Sequence, residues 1–479
     1  MNPRLDVMIL GLLAGLVGLF QLAPLALALA LGEPGGPFVP GLAVGLLLAA
    51  AGLVAGRGAS RTVRPRDGFL VVGVGWILAS AISAVPFVAS GATGPVDAWF
   101  EAVSGITTTG STILVDIEAQ SASLLFWRSM TQWIGGMGII VFTIAILPLL
   151  GVGGMQLFRA EVPGPVTDKI APRVTVTARY LWLVYVGLTA IEALLLRAFG
   201  MPALEAVDHA FTTMATGGFS PKAASIGAYD SPLIRVTVIV FMALAGMNFV
   251  LHFKAFQGRL RDVLRDEELR WYLALIALFA IPMTVVLALV EQQPLGRAAE
   301  DAFFTVVSLM TTTGYATADY ELWPLVTHGP IILLLILGGM AGSTGGGVKT
   351  LRTLLAFRSL RASFSRMLHP HAVRPVVYRG RPVPGPVMEA IWGFFAAYIT
   401  LAVLGMLVVN MTGADLVTSW SASLTALGNV GPGLGAVGPV DNFAALPGGV
   451  KLVLSALMLF GRLELYTLLL LLMPGFWRR

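Results

Sequence analysis

Four copies of one short pattern constrain this chain more than any other feature. Residues 97–110 read DAWFEAVSGITTTG and residues 301–314 read DAFFTVVSLMTTTG, with Asp, Ala, Phe, Val, Ser and the closing Thr-Thr-Thr-Gly in identical register. Two weaker copies, DHAFTTMATG at 208–217 and DLVTSWSASLTALG at 415–428, fit the same frame and end on Gly217 and Gly428. Unequal spacers around one short motif point to a fourfold duplication. A solenoid would repeat at a shorter, more regular period.

Composition says which solvent surrounds these repeats. The 479 residues are 56% hydrophobic and 12% charged, whereas soluble domains carry about 25% charged residues. So much apolar surface cannot be hidden inside the chain, so lipid is the expected solvent. The 55 glycines suit close packing and tight breaks of membrane helices. Absence of cysteine excludes disulfides, thiolate metal ligands and cysteine chemistry. The first apolar run follows a single arginine and is too long for the core of a cleaved signal peptide.

A span needs roughly 20 apolar residues, and ten candidates meet that need. Val7 to Leu31 and Phe38 to Ala55 form an opening pair, with Pro24 as a tolerated kink. Gly68 to Val88, Leu124 to Leu150, Arg179 to Phe199 and Pro232 to Phe253 follow. Trp271 to Val290, a helix starting near Leu325, Pro386 to Val409 and Val450 to Met473 complete the set. Between the two spans of each unit sits a motif helix of about a dozen residues, too short to cross. Asp97 and Asp208 are expected to cap such helices.

Basic residues test the count. Arg57 to Arg66, Arg159 to Arg173, Lys254 to Arg270, Lys349 to Arg381 and Arg478-Arg479 all fall on one side if the N-terminus is cytoplasmic. That is the positive-inside pattern. The expected fold is an all-α integral membrane protein. It has four parallel helix–re-entrant loop–helix repeats around a central pore, preceded by two extra transmembrane helices. The units are 1–66, 67–160, 161–258, 259–380 and 381–479.

A re-entrant helix followed by a Thr/Gly segment leaves carbonyls without helical partners, which lipid tolerates only where protein or a water-filled path satisfies them. Four such segments around one axis would place rings of carbonyl oxygens in a pore, able to replace the water shell of a cation. The candidate cation-lining residues are Thr108, Thr109, Gly110, Thr216, Gly217, Thr312, Thr313, Gly314, Leu427, Gly428 and Asn429. The short helices would point their negative C-terminal ends inward, again favouring a cation. Helix-terminating turns packed together are the plainer reading, against which the fourfold recurrence counts.

GSTGGGVKT at 342–350 lacks the G-x-x-x-x-G-K-[ST] spacing of a phosphate loop and interrupts a membrane helix. Gly342, Ser343, Thr344, Gly345, Gly346, Gly347 and Lys349 form either a gate beneath the third filter segment or a passive kink. Arg462 and Glu464 lie deep in the last span, where charges face the interior or water. They form either an ion pair that fixes packing or, through Arg462, a positive charge that tunes the pore. Glu192, Asn248 and Glu389 are read as packing or helix-end residues, and His209 as structural. The five histidines show no convincing metal spacing, and no paired carboxylates or nucleophile with its base supports an enzyme.

SGITTTGST (104–112), MATGGFSP (214–221), MTTTGYATAD (310–319), LTALGNVGPG (424–433) and GGMAGSTGGGVKT (338–350) together resemble the membrane subunit of bacterial Trk potassium-uptake systems. These belong to the Trk/Ktr/HKT superfamily, and the opening helix pair favours Trk over the shorter Ktr type. The resemblance runs from about residue 68 to the end and implies an asymmetric filter. Its glycine at the place of Gly110 accompanies potassium preference, whereas serine there accompanies sodium transport in some plant members. It places the family's gating loop on 338–350 and its pore-facing arginine on Arg462. Ala215-Thr216 and Ala426-Leu427 depart from the threonine pattern, so the ring is less complete than in a symmetric channel.

The resemblance also implies a homodimer with one pore per protomer in the bacterial inner membrane, both termini cytoplasmic. A ring of cytosolic nucleotide-binding regulatory subunits would dock on the basic 349–381 region. Potassium is the transported ion, no tightly bound organic cofactor or nucleic acid is expected, and membrane lipid is the surrounding partner. Sodium or non-selective monovalent cation passage is the nearer alternative. A secondary transporter built from inverted repeats is the remoter one, disfavoured because every copy here runs in the same direction.

Overall fold

The computed structural model describes residues 2–60, 64–138, 174–369, 371 and 375–478. Helices dominate it, and the one sheet among the described residues is a hairpin of β1 (Val377–Tyr378) and β2 (Arg381–Pro382). The opening pair is α1 (Pro3–Phe20) with α2 (Leu22–Leu31), and α3 (Val39–Ala55). α1 and α2 together make one span.

Four sets of three helices follow. The first helices are α4 (Pro65–Ala89), α7 (Val174–Ala198), α12 (Glu267–Leu289) and α16 (Gly385–Asn410). The short ones are α5 (Pro95–Ile106), α8 (Ala203–Met214), α13 (Leu295–Met310) and α17 (Leu416–Gly428). The returning ones are α6 (Ala122–Gly136), α9 (Pro232–Ala245), α14 (His328–Ile336) and α18 (Gly448–Arg462). Each short helix packs on its own first and returning helices. It also packs on the returning helix of the preceding set, and α18 closes the circuit against α5. Such surroundings account for the nearly complete burial of α5 from Phe100 to Ile106. A dozen residues cannot cross a bilayer, but they can be buried among the helices packed around them.

Among the described residues, six of the ten expected spans are stretches long and apolar enough to cross a membrane. Pro232 to Phe253 and Val450 to Met473 are not continuous helices. The first breaks into α9 and α10 (Phe249–Phe256), bent by 103°, and the second into α18 and α19 (Tyr466–Leu472), bent by 118°. Asn248 stops the first by accepting Val250 N–H at 2.9 Å, while Phe249 N–H leaves for the carbonyl of Gly342 at 3.0 Å. Glu464 and Leu465 stop the second by entering left-handed backbone at φ 53° and 62°. The span from Leu325 is a shorter apolar helix followed by the Gly-rich break, after which α15 (Thr350–Leu368) continues. Beyond residue 138 the expected Leu124 to Leu150 span, and the connector carrying Arg159, Lys169 and Arg173, lie outside the described residues. Short helices α11 (Leu260–Leu264) and α20 (Pro474–Trp477) complete the order.

Small residues set the distance between α1 and α3. A Cβ on Gly45 would stand 2.7 Å from the Ala14 carbonyl oxygen and 2.9 Å from the Gly18 Cα. Backbone lies against backbone there, as small-residue helix contacts in lipid allow. Gly45→Leu should destabilise the protein by about 1–3 kcal/mol through overpacking, seen as a lower melting temperature in detergent. Gly36→Ala, with open space around the new methyl, should leave the melt unchanged.

Candidate functional site

All four short helices end in the same hydrogen-bonded turn. Thr108 N–H donates to Gly105 and Thr109 N–H to Ser104; Thr216 donates to Thr213 and Gly217 to Thr212. Thr312 donates to Leu309 and Thr313 to Ser308; Asn429 donates to Ala426 and Val430 to Thr425. These paired bonds are the Schellman arrangement, which requires a left-handed residue after the helix. That residue is Thr108 (φ 55°), Thr216 (φ 54°), Thr312 (φ 61°) or Asn429 (φ 54°). Asparagine tolerates this backbone, but a β-branched threonine is an outlier there. Three such outliers at equivalent places indicate strain held for a purpose.

Two residues further on stand Gly110 (φ 86°), Gly218 (φ 75°), Gly314 (φ 81°) and Gly431 (φ 107°). The true register therefore pairs Gly110 and Gly314 with Gly218 and Gly431, and the expected alignment on Gly217 and Gly428 is corrected. Gly217 is the counterpart of Thr109, Gly428 that of Thr107, and Leu427 that of Ile106. Leu427 lies in the hydrophobic core with Ile106, so its side chain leaves the candidate set. Two sequence signals carry the correction. MATGGF offers two adjacent glycines, and choosing the second brings Glu205 into line with Asp97 and Asp301.

The four glycines touch in a cycle. A Cβ on Gly110 would overlap the Gly217 carbonyl oxygen, one on Gly218 the Thr313 oxygen, and one on Gly314 the Val430 oxygen. A Cβ on Gly431 would stand 2.9 Å from the Thr109 oxygen. Thr109, Gly217, Thr313 and Val430 are equivalent residues, so the same carbonyl meets the neighbour's glycine at every step. Gly110, Gly218, Gly314 and Gly431 also line a single cavity, together with Ser111, Thr112 and Arg128.

Side chains behind the turns differ from set to set. Thr107 and Thr109 share a hydroxyl hydrogen bond of 2.7 Å, and Thr311 and Thr313 share another of 2.7 Å. Ala215 and Gly217 cannot form that pair. Gln132 fills the space instead, donating to the Gly217 carbonyl at 2.7 Å and accepting Phe219 N–H at 3.0 Å. Asn429 Nδ2 donates to Thr109 Oγ1 at 2.9 Å and to the Met458 carbonyl at 2.8 Å. Tyr315 reaches Thr212 and the His209 carbonyl. Buried Arg128 pairs with Glu101 at 2.6 Å and donates to the Ser220 carbonyl at 2.9 Å. Sequence reading missed Gln132, Tyr315 and the Arg128–Glu101 pair, since none carries a motif.

Asp415 caps α17 through Val417 N–H (2.9 Å) and Thr418 N–H (3.0 Å). The Thr418 hydroxyl and these amides hold its carboxyl below the usual range. Near the cavity, burial raises the Glu321 carboxyl, although Gly435 N–H donates to it. Asp97 does not cap α5. Pro95 begins that helix without a side-chain cap, and the Asp97 carboxylate takes Lys451 Nζ of α18 at 2.6 Å instead. Asp208 lies within α8, so it caps nothing either. His209 bonds the Glu205 carbonyl (2.8 Å) and Ser220 Oγ (3.1 Å), a structural role as expected.

The Gly-rich break runs against the inner side of these turns. Thr344 Oγ1 donates to the carbonyls of Met214 (3.1 Å) and Ala245 (3.2 Å) and meets Thr216 Oγ1 at 3.3 Å. Gly346 N–H donates to Thr312 Oγ1 at 2.7 Å, and a Cβ on Gly346 would overlap the Gly428 carbonyl. Gly342 lies beside Asn248, Ser343 Oγ closes onto the Met340 carbonyl, and Gly347 adopts φ 67°. Lys349 Nζ bonds back to the Gly345 carbonyl, inside the segment. Arg462 completes the set. Its Nη1 donates to Thr108 Oγ1 (3.1 Å) and the Thr344 carbonyl (2.5 Å), and its Nη2 to the carbonyls of Gly135 (2.7 Å) and Gly136 (2.9 Å). Glu464 pairs with Arg352.

Comparison with known proteins agrees with this geometry. A family profile described as a cation transport protein, TrkH, matches residues 38–477. The Trk system potassium uptake protein TrkH of Salmonella typhimurium is 44% identical over 424 residues, 87% of each chain. That of Halomonas elongata is 38% identical over 484 residues, all of both chains. The crystal structure of the potassium transporter TrkH from Vibrio parahaemolyticus superimposes with a TM-score of 0.88 at 36% identity, covering 100% of both chains. With the family profile spanning nearly the whole sequence, the chain belongs to the TrkH family of cation transport proteins.

Proposed function

We propose that this chain is a potassium-uptake subunit whose four parallel repeats surround one pore. The cycle of equivalent carbonyl-to-glycine contacts carries the reading. Four turns of the same backbone geometry around one cavity present backbone oxygens in rings, the arrangement that replaces the hydration shell of a desolvated cation. Potassium as the ion is supported by the names of the relatives and by Gly110 at the selectivity position. Sodium passage through the same ring is the alternative outcome.

Segment 338–350 acts as the gate in this reading. Its Thr344, Gly345 and Gly346 lie under the turns of the second, third and fourth repeats, and Arg462 joins Thr344 to the first. A guanidinium bonded to both filter and loop puts fixed positive charge on the cation's path, which disfavours occupancy there. The units 1–66, 67–160, 161–258, 259–380 and 381–479 stand as its domains. The one-sided basic connectors support cytoplasmic termini in the inner membrane. The family likeness supports a homodimer and a cytosolic regulatory ring docking on 349–381, and the relatives' designation as a system supports more than one component.

Ion flux into liposomes containing the purified chain tests the filter. Wild type should prefer potassium over sodium, and Gly110→Ser should lower that preference about tenfold by disturbing the carbonyl ring. Equal sodium and potassium flux in wild type would sink the potassium assignment. Thr344→Ala removes the hydroxyl bonds of the loop, each worth about 0.5–1.5 kcal/mol. Regulator-free flux should rise about tenfold with selectivity kept, and unchanged flux would make the segment a passive kink.

A further inference from the structure

Three consecutive acidic residues at the start of α12 go to three different elements. Asp266 Oδ1 caps the helix through Glu268 N–H (3.1 Å) and Leu269 N–H (3.0 Å), while its other oxygen pairs with Arg379 of the hairpin turn at 2.6 Å. Glu267 pairs at 2.6 Å with Arg358 of α15, whose Nη1 also donates to the Val377 carbonyl at 2.6 Å. Glu268 turns the other way and is buried, with 1% of its surface exposed. Its Oε1 accepts Ala341 N–H at 2.7 Å and the Thr350 hydroxyl at 3.1 Å.

Ala341 and Thr350 bracket residues 342–349. One carboxyl oxygen therefore holds both ends of the Gly-rich segment, and Gly339, just before it, also accepts Thr350 N–H at 3.0 Å. A segment with five glycines between residues 339 and 347 has little stiffness of its own. Its position must be imposed from outside, and two donors converging on one buried carboxyl oxygen do so. The two residues just before the acceptor, Asp266 and Glu267, are tied to the hairpin and α15, elements of the basic 349–381 region.

We propose that Glu268 is a positioning residue for the gate: by holding Ala341 and Thr350 together it keeps the loop under the filter. Through Asp266–Arg379 and Glu267–Arg358, movement of the hairpin or α15 shifts the same helix start and releases the loop. This rests on reading 338–350 as the gate. Glu268 touches no ion; it acts only through the loop.

Potassium flux in liposomes, without any regulator, tests the idea on the full chain. Glu268→Leu removes the acceptor and should raise flux about tenfold with potassium preference retained, given two lost hydrogen bonds of about 0.5–1.5 kcal/mol each. Glu268→Gln keeps a carbonyl oxygen at the same place and should stay within about twofold of wild type. A merely structural role cannot produce a selective gain of flux that the amide reverses. Thr350→Val removes one donor only and should raise flux about threefold, and it decides the matter if the leucine variant does not reconstitute. Thr344→Ala serves as the reference for the gate. Raised flux in Thr344→Ala with wild-type flux in the Glu268→Leu and Thr350→Val variants overturns the latch and leaves the gate standing. Wild-type flux in all of them overturns gate and latch together. A Glu268→Leu leak that passes sodium and potassium equally also overturns the proposal, since it reports damage to the filter.

Discussion

Left-handed backbone at the ends of four buried helices is the condition on which this architecture depends. A helix that simply stopped would leave carbonyls unpaired in the middle of a membrane protein. The Schellman turn satisfies two of them and redirects the chain, so the next carbonyls face neighbouring turns instead of the helix axis. For a threonine this backbone costs about 1–2 kcal/mol, and it occurs at Thr108, Thr216 and Thr312. Surrounding structure enforces it. Hydroxyl pairs at Thr107–Thr109 and Thr311–Thr313 brace two turns from within, while Gln132 behind Gly217 and Asn429 bonded to Thr109 tie turns to other elements.

The second and fourth returning helices end in sharp bends, whereas the third ends in an extended glycine-rich passage. Val348 N–H bonds the Ile336 carbonyl at 3.0 Å, so the chain leaves α14 and returns to its last turn before α15 begins. Glycine makes this detour possible by close approach as much as by dihedral freedom. A Cβ on Gly338 would overlap the Gly346 carbonyl, and one on Gly347 the Leu337 carbonyl. The four sets of helices are built alike, and this break sets the third apart from the second and fourth.

Charges within the apolar body link units to one another. Lys451 to Asp97 ties the fourth unit to the first, and Arg235 to Glu300 at 2.9 Å ties the second to the third. Arg352 and Glu464 join the segment after the Gly-rich break to the last helix. These pairs fix which unit neighbours which. Arg462 differs because its guanidinium bonds carbonyls and a hydroxyl contributed by several units.

The sequence by itself determined the solvent, the duplication and the chemistry of the turns. Those properties live in local composition: apolar runs, one-sided arginines and a repeated Thr/Gly string. It also marked 338–350 as a break, because so many glycines cannot continue a helix. Register and partners were decided only by the tertiary structure. Adjacent glycines at 217 and 218 satisfy the same string equally well, and only the hydrogen bonds to Thr212 and Thr213 show that the left-handed glycine is the second. Apolar composition runs unbroken through Pro232 to Phe253, so the bend at Asn248 leaves no gap in hydropathy. Arg462 and Glu464 lie two residues apart and suggest a pair. Left-handed backbone at Glu464 and Leu465, between α18 and α19, turns the chain through 118° there and sends Glu464 to Arg352 and Arg462 to Thr108. Sequence separation measures distance along the chain, and the backbone dihedrals of two residues decide here whether that distance survives folding.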